Sequence, residues 1–333
     1  MMADQSSKHE FRVRSPESRP PTHVVAAVLR DAQGRVLLSQ RNRKGDLAGL
    51  WEFPGGKRER GEDSQTALRR ELREELGIAT HLIQLLIEVP HAYPQKRIVL
   101  EVFSAEWSGE PVGCEGQALR WLSPESLADM SMPSADQPVV AALTQPDRYV
   151  ITPDPGRQID SFMRALTVTL AGGITRLQLR TPSLAREAMW ALAEAVHVQC
   201  QQAGAAWLIN SACVDAIKIA ERLGCGLHLT AGHLMRAAAR PQPADSLVAA
   251  SCHNATELAH AQALGCDFVV LGPVAATSSH PGTAAMGWPA FRALRERVAL
   301  PIYALGGMQL ADLATARSHG AQGIAAIGGL WPT

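Results

Sequence analysis

The sequence predicts an α+β domain followed by an α/β domain that forms a (β/α)8 barrel. Three observations lead to this prediction. The chain has 333 residues, more than a typical single domain. One glutamate-rich helical segment stands among β-rich segments in the first part, whereas β-rich and helical segments alternate regularly from Tyr149 onward. The junction TQPDRYV is only a few residues long, so we expect domains that are docked against each other.

Composition and charge exclude several classes of function. Hydrophobic residues make up 46% and charged residues 19% of the chain, which is ordinary for a globular protein. The formal net charge is zero, which argues against direct binding to nucleic acid or a membrane, since either needs a basic excess. The first 22 residues lack the apolar core of a signal peptide, and no apolar run approaches the ~20 residues that cross a bilayer. We expect a disordered tail over residues 1–22 and a cytoplasmic protein.

The six cysteines are predicted to be free thiols. None forms a CxxC pair, and five lie within apolar stretches of the second domain. Buried, reduced thiols are typical of a cytosolic protein.

The first domain, predicted over residues 23–146, combines strands with helices. HVVAAVLRDAQGRVLLSQR predicts two strands joined at an Ala-Gln-Gly turn. After the Gly-rich LWEFPGGKRERGE, a helix is predicted from about Ser64 to Leu76, with Asp63 as its N-cap and Gly77 as a left-handed C-cap. Alternating stretches follow (HLIQLLIEVPHAY and RIVLEVFSAEW), then ALRWLSPESL and a short helix near Pro138–Leu143.

The second domain, predicted over residues 149–333, contains eight β-rich segments. Each of them except the last precedes a helix-like stretch. Eight βα units predict a closed parallel barrel. The β-rich segments are YVIT, ITRLQLR, AWLIN, GLHLT, SLVAASCH, DFVVLGPV, PIYALGG and GIAAIGG.

The glutamate-rich helix carries the most specific functional pattern. Glu71, Glu74 and Glu75 lie at positions i, i+3 and i+4, so three carboxylates share one helical face. Like charges at this spacing destabilise a helix unless something neutralises them. Hard divalent cations, which bind oxygen ligands, neutralise such charges. The spacing therefore points to Mg²⁺ or Mn²⁺. The adjacent apolar stripe, which anchors the helix to the core, consists of Leu68, Leu72 and Leu76.

The alternative for this helix is a solvated acidic face with ordinary surface ion pairs. Arg69, Arg70 and Arg73 are available for such pairs. The upstream Gly55-Gly56 loop and Glu62, at fixed spacing from the helix, favour the metal site.

The segment from Gly56 to Ile78 resembles the Nudix signature, GX5EX7REUXEEXGU with U aliphatic, at every specified position. The resemblance implies a metal-dependent hydrolase of a nucleoside diphosphate linked to another group. It also implies that Arg70 orients a carboxylate and that Glu62 supports the shell of metal and water. The implied metal ligands are the Gly55 carbonyl, Glu71, Glu74 and Glu75.

Within this family, the first domain is most similar to the MutT type, the 8-oxo-dGTP diphosphatases. The similarity extends to WEFPGGK before the signature and GEPVGCEGQ after it. It implies that Glu115 is a further metal ligand and offers a general base. The implied contacts to the base, sugar or phosphates are Arg41, Phe53, Tyr93 and Lys96. Core packing is the alternative for the two aromatic residues, and a solvated surface position is the alternative for the lysine.

One substrate position departs from the bacterial MutT pattern. In PSADQP, Asp136 stands where that pattern has a base-reading asparagine. An amide both donates and accepts hydrogen bonds, whereas an ionised carboxylate only accepts. The departure therefore bears on which base is recognised.

The second domain resembles thiamine-phosphate synthase, a TIM barrel, and its non-catalytic relatives over nearly its whole length. The matching segments, in order, are AGGITRLQLR, LIN, GLHL, SCHN, LGCDFVVLGPVAATSSHPG and ALGG. The resemblance implies a pocket for a thiamine-precursor phosphate, and tight turns are the alternative for its glycines. The residues of this implied pocket are Arg180, Asn210, Thr277, Ser279, Gly306, Gly307, Gly328 and Gly329.

Four departures predict that this barrel has lost synthase activity. Ser211 stands where the first metal-binding aspartate is expected, and TAGHLM after GLHL contains no acidic residue. Arg180 is followed by Thr181 rather than by a basic residue, and His280 replaces a lysine. Together these changes remove the metal ligands and the charge that would stabilise pyrophosphate.

Three hypotheses for the function follow. The first is Mg²⁺-dependent hydrolysis of oxidised or ordinary nucleoside triphosphates to monophosphate and pyrophosphate, which would sanitise the nucleotide pool for DNA replication and repair. The second is hydrolysis of thiamine-related pyrophosphates. In the third, the barrel is a ligand-sensing or structural module.

Overall fold

The computed structural model describes residues 20–41, 47–276 and 284–332. It contains an α+β domain followed by a closed barrel of eight parallel strands, as predicted. Residues 1–19 of the predicted tail over residues 1–22 lie outside the described residues. Thr22, the last residue of that predicted tail, is the first residue of the first strand. The first strand therefore begins at Thr22, one residue before the strand segment that the sequence predicts from His23.

Two small sheets and two α-helices make up the described part of the first domain. The strands are β1 (Thr22–Val28), β2 (Val36–Gln40), β3 (Trp51–Glu52), β4 (Gly55–Lys57), β5 (Ala79–Ala92), β6 (Arg97–Ser108) and β7 (Leu119–Leu122). The helices are α1 (Ser64–Leu76) and α2 (Gln137–Thr144), and a 3-10 helix spans Pro124–Asp129. The sheet orders are β4-β1-β6-β5 and β3-β2-β7.

The predicted hairpin of β1 and β2 is only partly formed. A single antiparallel bridge joins Arg30 to Val36 next to the turn. Beyond it the two strands enter different sheets, because β1 pairs along its whole length with β6 in parallel. This pairing joins segments that are far apart in sequence, so the local strand–turn–strand pattern could not reveal it.

Helix α1 begins and ends where the sequence predicts, because its caps satisfy backbone groups at both ends. The Asp63 carboxylate accepts a hydrogen bond of 2.7 Å from the Thr66 N–H. Gly77 is left-handed at φ 68°, and its N–H donates to the Arg73 carbonyl. The apolar stripe is fully buried against β1, β2 and β6, and the glutamates lie on the adjacent face of the helix. Its residues are Leu68, Leu72 and Leu76.

The barrel closes in the order β8 to β15, with β15 pairing to β8. Its strands are β8 (Arg148–Ile151), β9 (Arg176–Leu179), β10 (Ala206–Asn210), β11 (Gly226–Leu229), β12 (Val248–Cys252), β13 (Phe268–Leu271), β14 (Ile302–Leu305) and β15 (Gly323–Ala326). The helices are α3 (Ile159–Ala171), α4 (Arg186–Gln202), α5 (Ala216–Leu223), α6 (Ala231–Arg236), α7 (Ala255–Leu264), α8 (Gly287–Arg295) and α9 (Leu313–Ser318), and a 3-10 helix spans Leu310–Asp312. All eight predicted strands, and a helix after each of them except the last, are therefore confirmed.

The barrel interior contains both aromatic and polar side chains. Tyr149, Phe268 and Tyr303 pack together inside it, and the apolar residues of the strands' outer faces pack against the helices. The Tyr149 hydroxyl lies 3.1 Å from Nδ1 of the fully buried His228. Five cysteines are buried and Cys114 is exposed, and all six are free thiols, as predicted. Among the helices of the described segments, none is long and apolar enough to cross a membrane.

The two domains dock through β5 and β6 of the first and the segment after α8 of the second. Arg97 donates to both carboxylate oxygens of Glu296, at distances of 2.7 to 3.0 Å. The Ala92 N–H donates to the Glu296 carbonyl at 2.9 Å, and Arg292 forms an ion pair with Glu88. These contacts agree with the docking expected from the short junction.

Replacing Leu72 by alanine is expected to lower the free energy of unfolding of the first domain by about 3 kcal/mol, because it leaves a cavity under α1. Hydrogen exchange of peptides from residues 64–76 measures this change locally. Leu85→Ala is the control, since Leu85 is 44% exposed. Equal acceleration of exchange in both variants would contradict the assigned packing of α1.

Candidate active site

Two carboxylates of α1 lie against the backbone of β4. The Gly55 N–H donates a hydrogen bond of 3.2 Å to Glu75 Oε2. A Cβ atom added at Gly56 would overlap the Glu71 carboxylate. Glycine at position 56 therefore leaves the space that the carboxylate of Glu71 occupies.

Arg70 connects three carboxylates, of which Glu71 is one. It donates to Glu62 at 2.7 Å, to Glu71 at 2.9 Å and to Glu74 at 3.2 Å. It also donates to the Lys57 carbonyl of β4 at 3.1 Å. The hydrogen bond to Glu62 is the largest of the effects that raise the pKa of Arg70. Arg70 thus lies beside the glutamates and holds their side chains in place, and it does not belong to a separate basic face.

Negative charge is most crowded at Glu75. Burial raises the pKa of Glu75 to about 8, and the carboxylates of Glu52, Glu71 and Glu115 raise it as well. Glu115 is exposed, in a loop that docks on the last turn of α1. Within this loop, the Cys114 N–H and the Gln117 side chain both donate to the Glu75 carbonyl, at 2.9 and 3.0 Å.

The chemistry of these donors fits a hard divalent cation. Carboxylate and backbone carbonyl oxygens are the ligands that Mg²⁺ and Mn²⁺ prefer, and a cation would relieve the crowding of charge at Glu75. Over residues 20–41, 47–276 and 284–332, no three acidic, histidine or cysteine side chains already converge on one point. Arg70 donates to Glu71 and Glu74, whereas the Gly55 N–H donates to Glu75.

A second polar cluster surrounds Asp136, immediately before α2. Asp136 is 6% exposed, and its carboxyl lies close to the Phe53 backbone N–H. Arg41 and Glu52 form an ion pair beside it, and both act on its charge. Burial raises the pKa of Asp136 to about 8, and the Glu52 carboxylate contributes to the rise. Asp136 is therefore largely protonated at neutral pH.

The remaining predicted substrate residues lie around the same cluster. The Tyr93 hydroxyl accepts a hydrogen bond of 3.4 Å from the Ala135 N–H. The Lys96 Nζ atom is exposed to solvent and lies 5.5 Å from the centre of the Tyr93 ring. The Phe53 side chain is 2% exposed and belongs to the hydrophobic core, so only its backbone faces Asp136.

Sequence reasoning missed three residues of this cluster. Glu52 belongs to β3 and lies between Trp51 and Phe53 in the sequence. The signal that could have revealed it is a carboxylate at a partly buried strand position. Ser134 Oγ lies 2.8 Å from His91 Nε2. His91 lies in an apolar strand segment. The residues around it do not distinguish it from an ordinary core histidine.

At the mouth of the barrel, a hydroxyl and an imidazole occupy the region where the synthase resemblance places aspartates. Ser211 Oγ, after β10, lies 2.7 Å from Nδ1 of His233, after β11. Ser211 Oγ also accepts a hydrogen bond of 2.9 Å from the Thr230 N–H. Both side chains are thus engaged within the protein, and neither provides a carboxylate.

The implied phosphate pocket of the barrel is only partly described. Asn210 is buried, donates to Gln178 at 2.9 Å and accepts from the Ala212 N–H at 2.9 Å. The Arg180 backbone N–H donates to Thr152 at 3.0 Å. The four glycines Gly306, Gly307, Gly328 and Gly329 follow β14 and β15 at one end of the barrel. Thr277, Ser279 and His280 lie outside the described residues.

Comparisons with known proteins divide the chain in the same way. A family model described as NUDIX domain matches residues 25–142, and one described as thiamine monophosphate synthase matches residues 148–330. The chain is 35% identical over 121 residues to an 8-oxo-dGTP diphosphatase of Escherichia coli K12, which covers 36% of this chain and 94% of that protein. It is 39% identical over 120 residues to a CTP pyrophosphohydrolase of the same strain, which covers 36% of this chain and 88% of that protein.

The second domain has relatives of its own. The chain is 30% identical over 186 residues to a thiamine-phosphate synthase of Thioalkalivibrio sulfidiphilus HL-EbGR7. This match covers 55% of the chain and 86% of the relative.

Replacing Asp136 by asparagine is expected to stabilise the protein increasingly as the pH rises from about 4 to about 8. Ionising a carboxyl whose folded pKa is raised opposes folding, so wild-type stability falls through this window while that of the variant does not. Thermal unfolding between pH 5 and pH 9 measures the difference in Tm. Asp129→Asn, at an exposed position, is the control. A Tm difference that stays constant with pH would contradict burial of an ionisable Asp136.

Proposed function

Since the chain belongs to the Nudix family through its first domain and to the thiamine monophosphate synthase family through its second, we propose that it hydrolyses nucleoside triphosphates at α1. The products are the monophosphate and pyrophosphate. Cleansing the nucleotide pool for DNA replication and repair is the role that this reaction would serve. The observation that carries the proposal is the set of carboxylates around Arg70 and Glu75, against the glycines of β4.

The residues of this site have separate parts in the proposed reaction. Mg²⁺ or Mn²⁺, held by the Gly55 carbonyl, Glu71, Glu74, Glu75 and Glu115, would neutralise phosphate charge and make the attacking water more acidic. Glu115 is exposed and accepts the proton of that water. Arg70 keeps Glu62, Glu71 and Glu74 in place through its hydrogen bonds. The water oxygen bonds to phosphorus, the bridging phosphorus–oxygen bond breaks, and pyrophosphate leaves.

The Asp136 cluster supports recognition of an oxidised guanine. A protonated carboxyl offers one donor and one acceptor, as the asparagine of the bacterial pattern does. 8-Oxo-guanine presents an acceptor at O6 next to a donor at N7, whereas guanine presents acceptors at both. A neutral Asp136 thus complements 8-oxo-guanine, and the pKa of about 8 keeps it neutral under ordinary conditions.

Replacing Glu74 by glutamine is expected to lower kcat at least about 100-fold for every nucleotide, because one anionic metal ligand is lost. The measurement is pyrophosphate release from 8-oxo-dGTP, dGTP, CTP and thiamine-related pyrophosphates. Glu110→Gln, at an exposed position outside the site, is the control and should match wild type. We expect the highest kcat/KM for 8-oxo-dGTP.

Two results of this panel would overturn the proposal. Unchanged hydrolysis by Glu74→Gln would remove α1 as the site. A preference for thiamine-related pyrophosphates would favour the second hypothesis, in which both domains serve one metabolite.

For the barrel we propose ligand binding without synthesis. The proposal is carried by the Ser211–His233 pair, which replaces the acidic metal ligands of the synthase with groups that hydrogen bond to each other. The buried hydrogen-bonding side chains Gln178, Asn210 and His228 still line the interior below it. A thiamine-precursor phosphate is the ligand that this arrangement supports.

The full-length protein is expected to form no thiamine phosphate from the two phosphorylated precursors, because neither Ser211 nor His233 offers a carboxylate to hold the metal that stabilises the leaving pyrophosphate. An authentic synthase assayed in parallel is the positive control. Thermal-shift titration with each precursor, with Asn210→Leu as the pocket variant, tests binding. Thiamine phosphate formation would refute loss of synthesis, and a Tm that neither precursor changes would refute the ligand-binding role.

A further inference from the structure

The contact between the domains continues inward from the surface ion pairs. Arg295, at the C-terminal end of α8, is fully buried and donates to the carbonyls of Gly320, at 2.9 Å, and Val298. Within the part of the chain that the structure describes, its Nη2 atom has no hydrogen-bond partner. A buried guanidinium with an unsatisfied donor is costly, so its position calls for a partner nearby.

His91 of β5, on the other domain, is close enough to Arg295 for the guanidinium charge to act on it. It is 6% exposed, and burial together with the charge of Arg295 lowers the pKa of His91 to about 4. The imidazole is therefore neutral, with one donor and one acceptor nitrogen. Its Nδ1 atom also has no partner among the described residues, while Nε2 lies 2.8 Å from Ser134 Oγ. With the proton on Nε2, Nδ1 is an acceptor that suits the Nη2 donor of Arg295.

Ser134 begins the short segment that ends at Asp136. The His91 ring also packs edge-on against the Tyr93 ring, with 4.6 Å between ring centres. The Tyr93 hydroxyl in turn accepts the hydrogen bond from the Ala135 N–H. Two contacts, made by His91 of β5 and by Tyr93 just after it, therefore connect the docked strand to residues 134–136, which contain Asp136.

We propose that the barrel domain sets the base selectivity of the α1 site, with His91 as the positioning residue that fixes residues 134–136. This inference rests on the proposed function, because it concerns the same substrate pocket. The proposed metal ligands lie on α1, on β4 and in the loop that contains Glu115, which take no part in these contacts. Disturbing the docking surface should therefore alter nucleotide selection much more than the chemical step.

Gly320 offers a way to disturb the docking surface without removing a polar group. A Cβ atom there would lie 2.8 Å from the Glu88 carbonyl oxygen and 2.9 Å from Pro90 Cδ, so β5 must move. Its φ of +83° also strains any other residue. Gly224 is the matched control, because its φ is +63° and nothing lies within 4 Å of the added atom. Gly320→Ala and Gly224→Ala therefore share backbone strain and differ in the contact with β5.

The measured quantity is the selectivity ratio, which is kcat/KM for 8-oxo-dGTP divided by kcat/KM for dGTP. In the full-length protein, we expect Gly320→Ala to lower this ratio at least about 5-fold, which is the lower end of typical coupling between two sites. The loss should appear in KM for 8-oxo-dGTP, with kcat within about 2-fold of wild type. Ser134→Ala should lower the same ratio, and the double variant should add little to it. Gly224→Ala should keep the wild-type ratio.

Hydrogen exchange of residues 131–137 gives a second measurement that does not depend on activity. Exchange there should accelerate in Gly320→Ala and not in Gly224→Ala. If Gly320→Ala does not fold, Glu296→Gln weakens the same surface more mildly by removing the charge that pairs with Arg97. An unchanged selectivity ratio together with unchanged exchange would overturn the inference. Absence of any nucleotide hydrolysis by wild type would instead refute the proposed function, and the exchange measurement would still decide whether the barrel orders residues 134–136.

Discussion

The repulsion among carboxylates on one helix is the constraint on which the first domain depends. Burial of the leucine stripe holds α1 in place despite this repulsion, and the caps at Asp63 and Gly77 fix where the helix begins and ends. Arg70 compensates part of the charge, but Glu75 remains buried with a raised pKa. A helix that was optimised for stability alone would not gather these groups. The arrangement has a physical reason when a divalent cation and a triphosphate occupy it.

The same domain buries a second carboxyl group at Asp136. Burial raises the pKa of Glu75 and of Asp136 alike, to about 8 in each case. Glu62 differs from both, because its hydrogen bond with Arg70 lowers its pKa. Solvent access and neighbouring charges such as Arg70 and Glu52 therefore set the pKa of each carboxyl group.

The barrel combines a regular fold with polar groups inside it and at its mouth. The side chains of its eight short strands point alternately inward and outward, and polar side chains inside it hydrogen bond to one another, as Tyr149 and His228 do. Ser211 and His233 at the mouth are also within hydrogen-bond distance of each other. The outer surface of the barrel contacts the first domain, and the ion pairs of Arg97 and Arg292 lie on that surface.

The sequence by itself determined the features that depend on local spacing. Helix α1 with both caps, the eight βα units and the signature glutamates could be predicted because periodicity and turn chemistry act over a few residues. Tertiary structure alone decided the partner of β1, the place of Arg70 among the glutamates and the protonation of Asp136. It also decided the meeting of His91 with Ser134, which are 43 positions apart. These features depend on burial and on contacts between distant segments, and no local pattern encodes either.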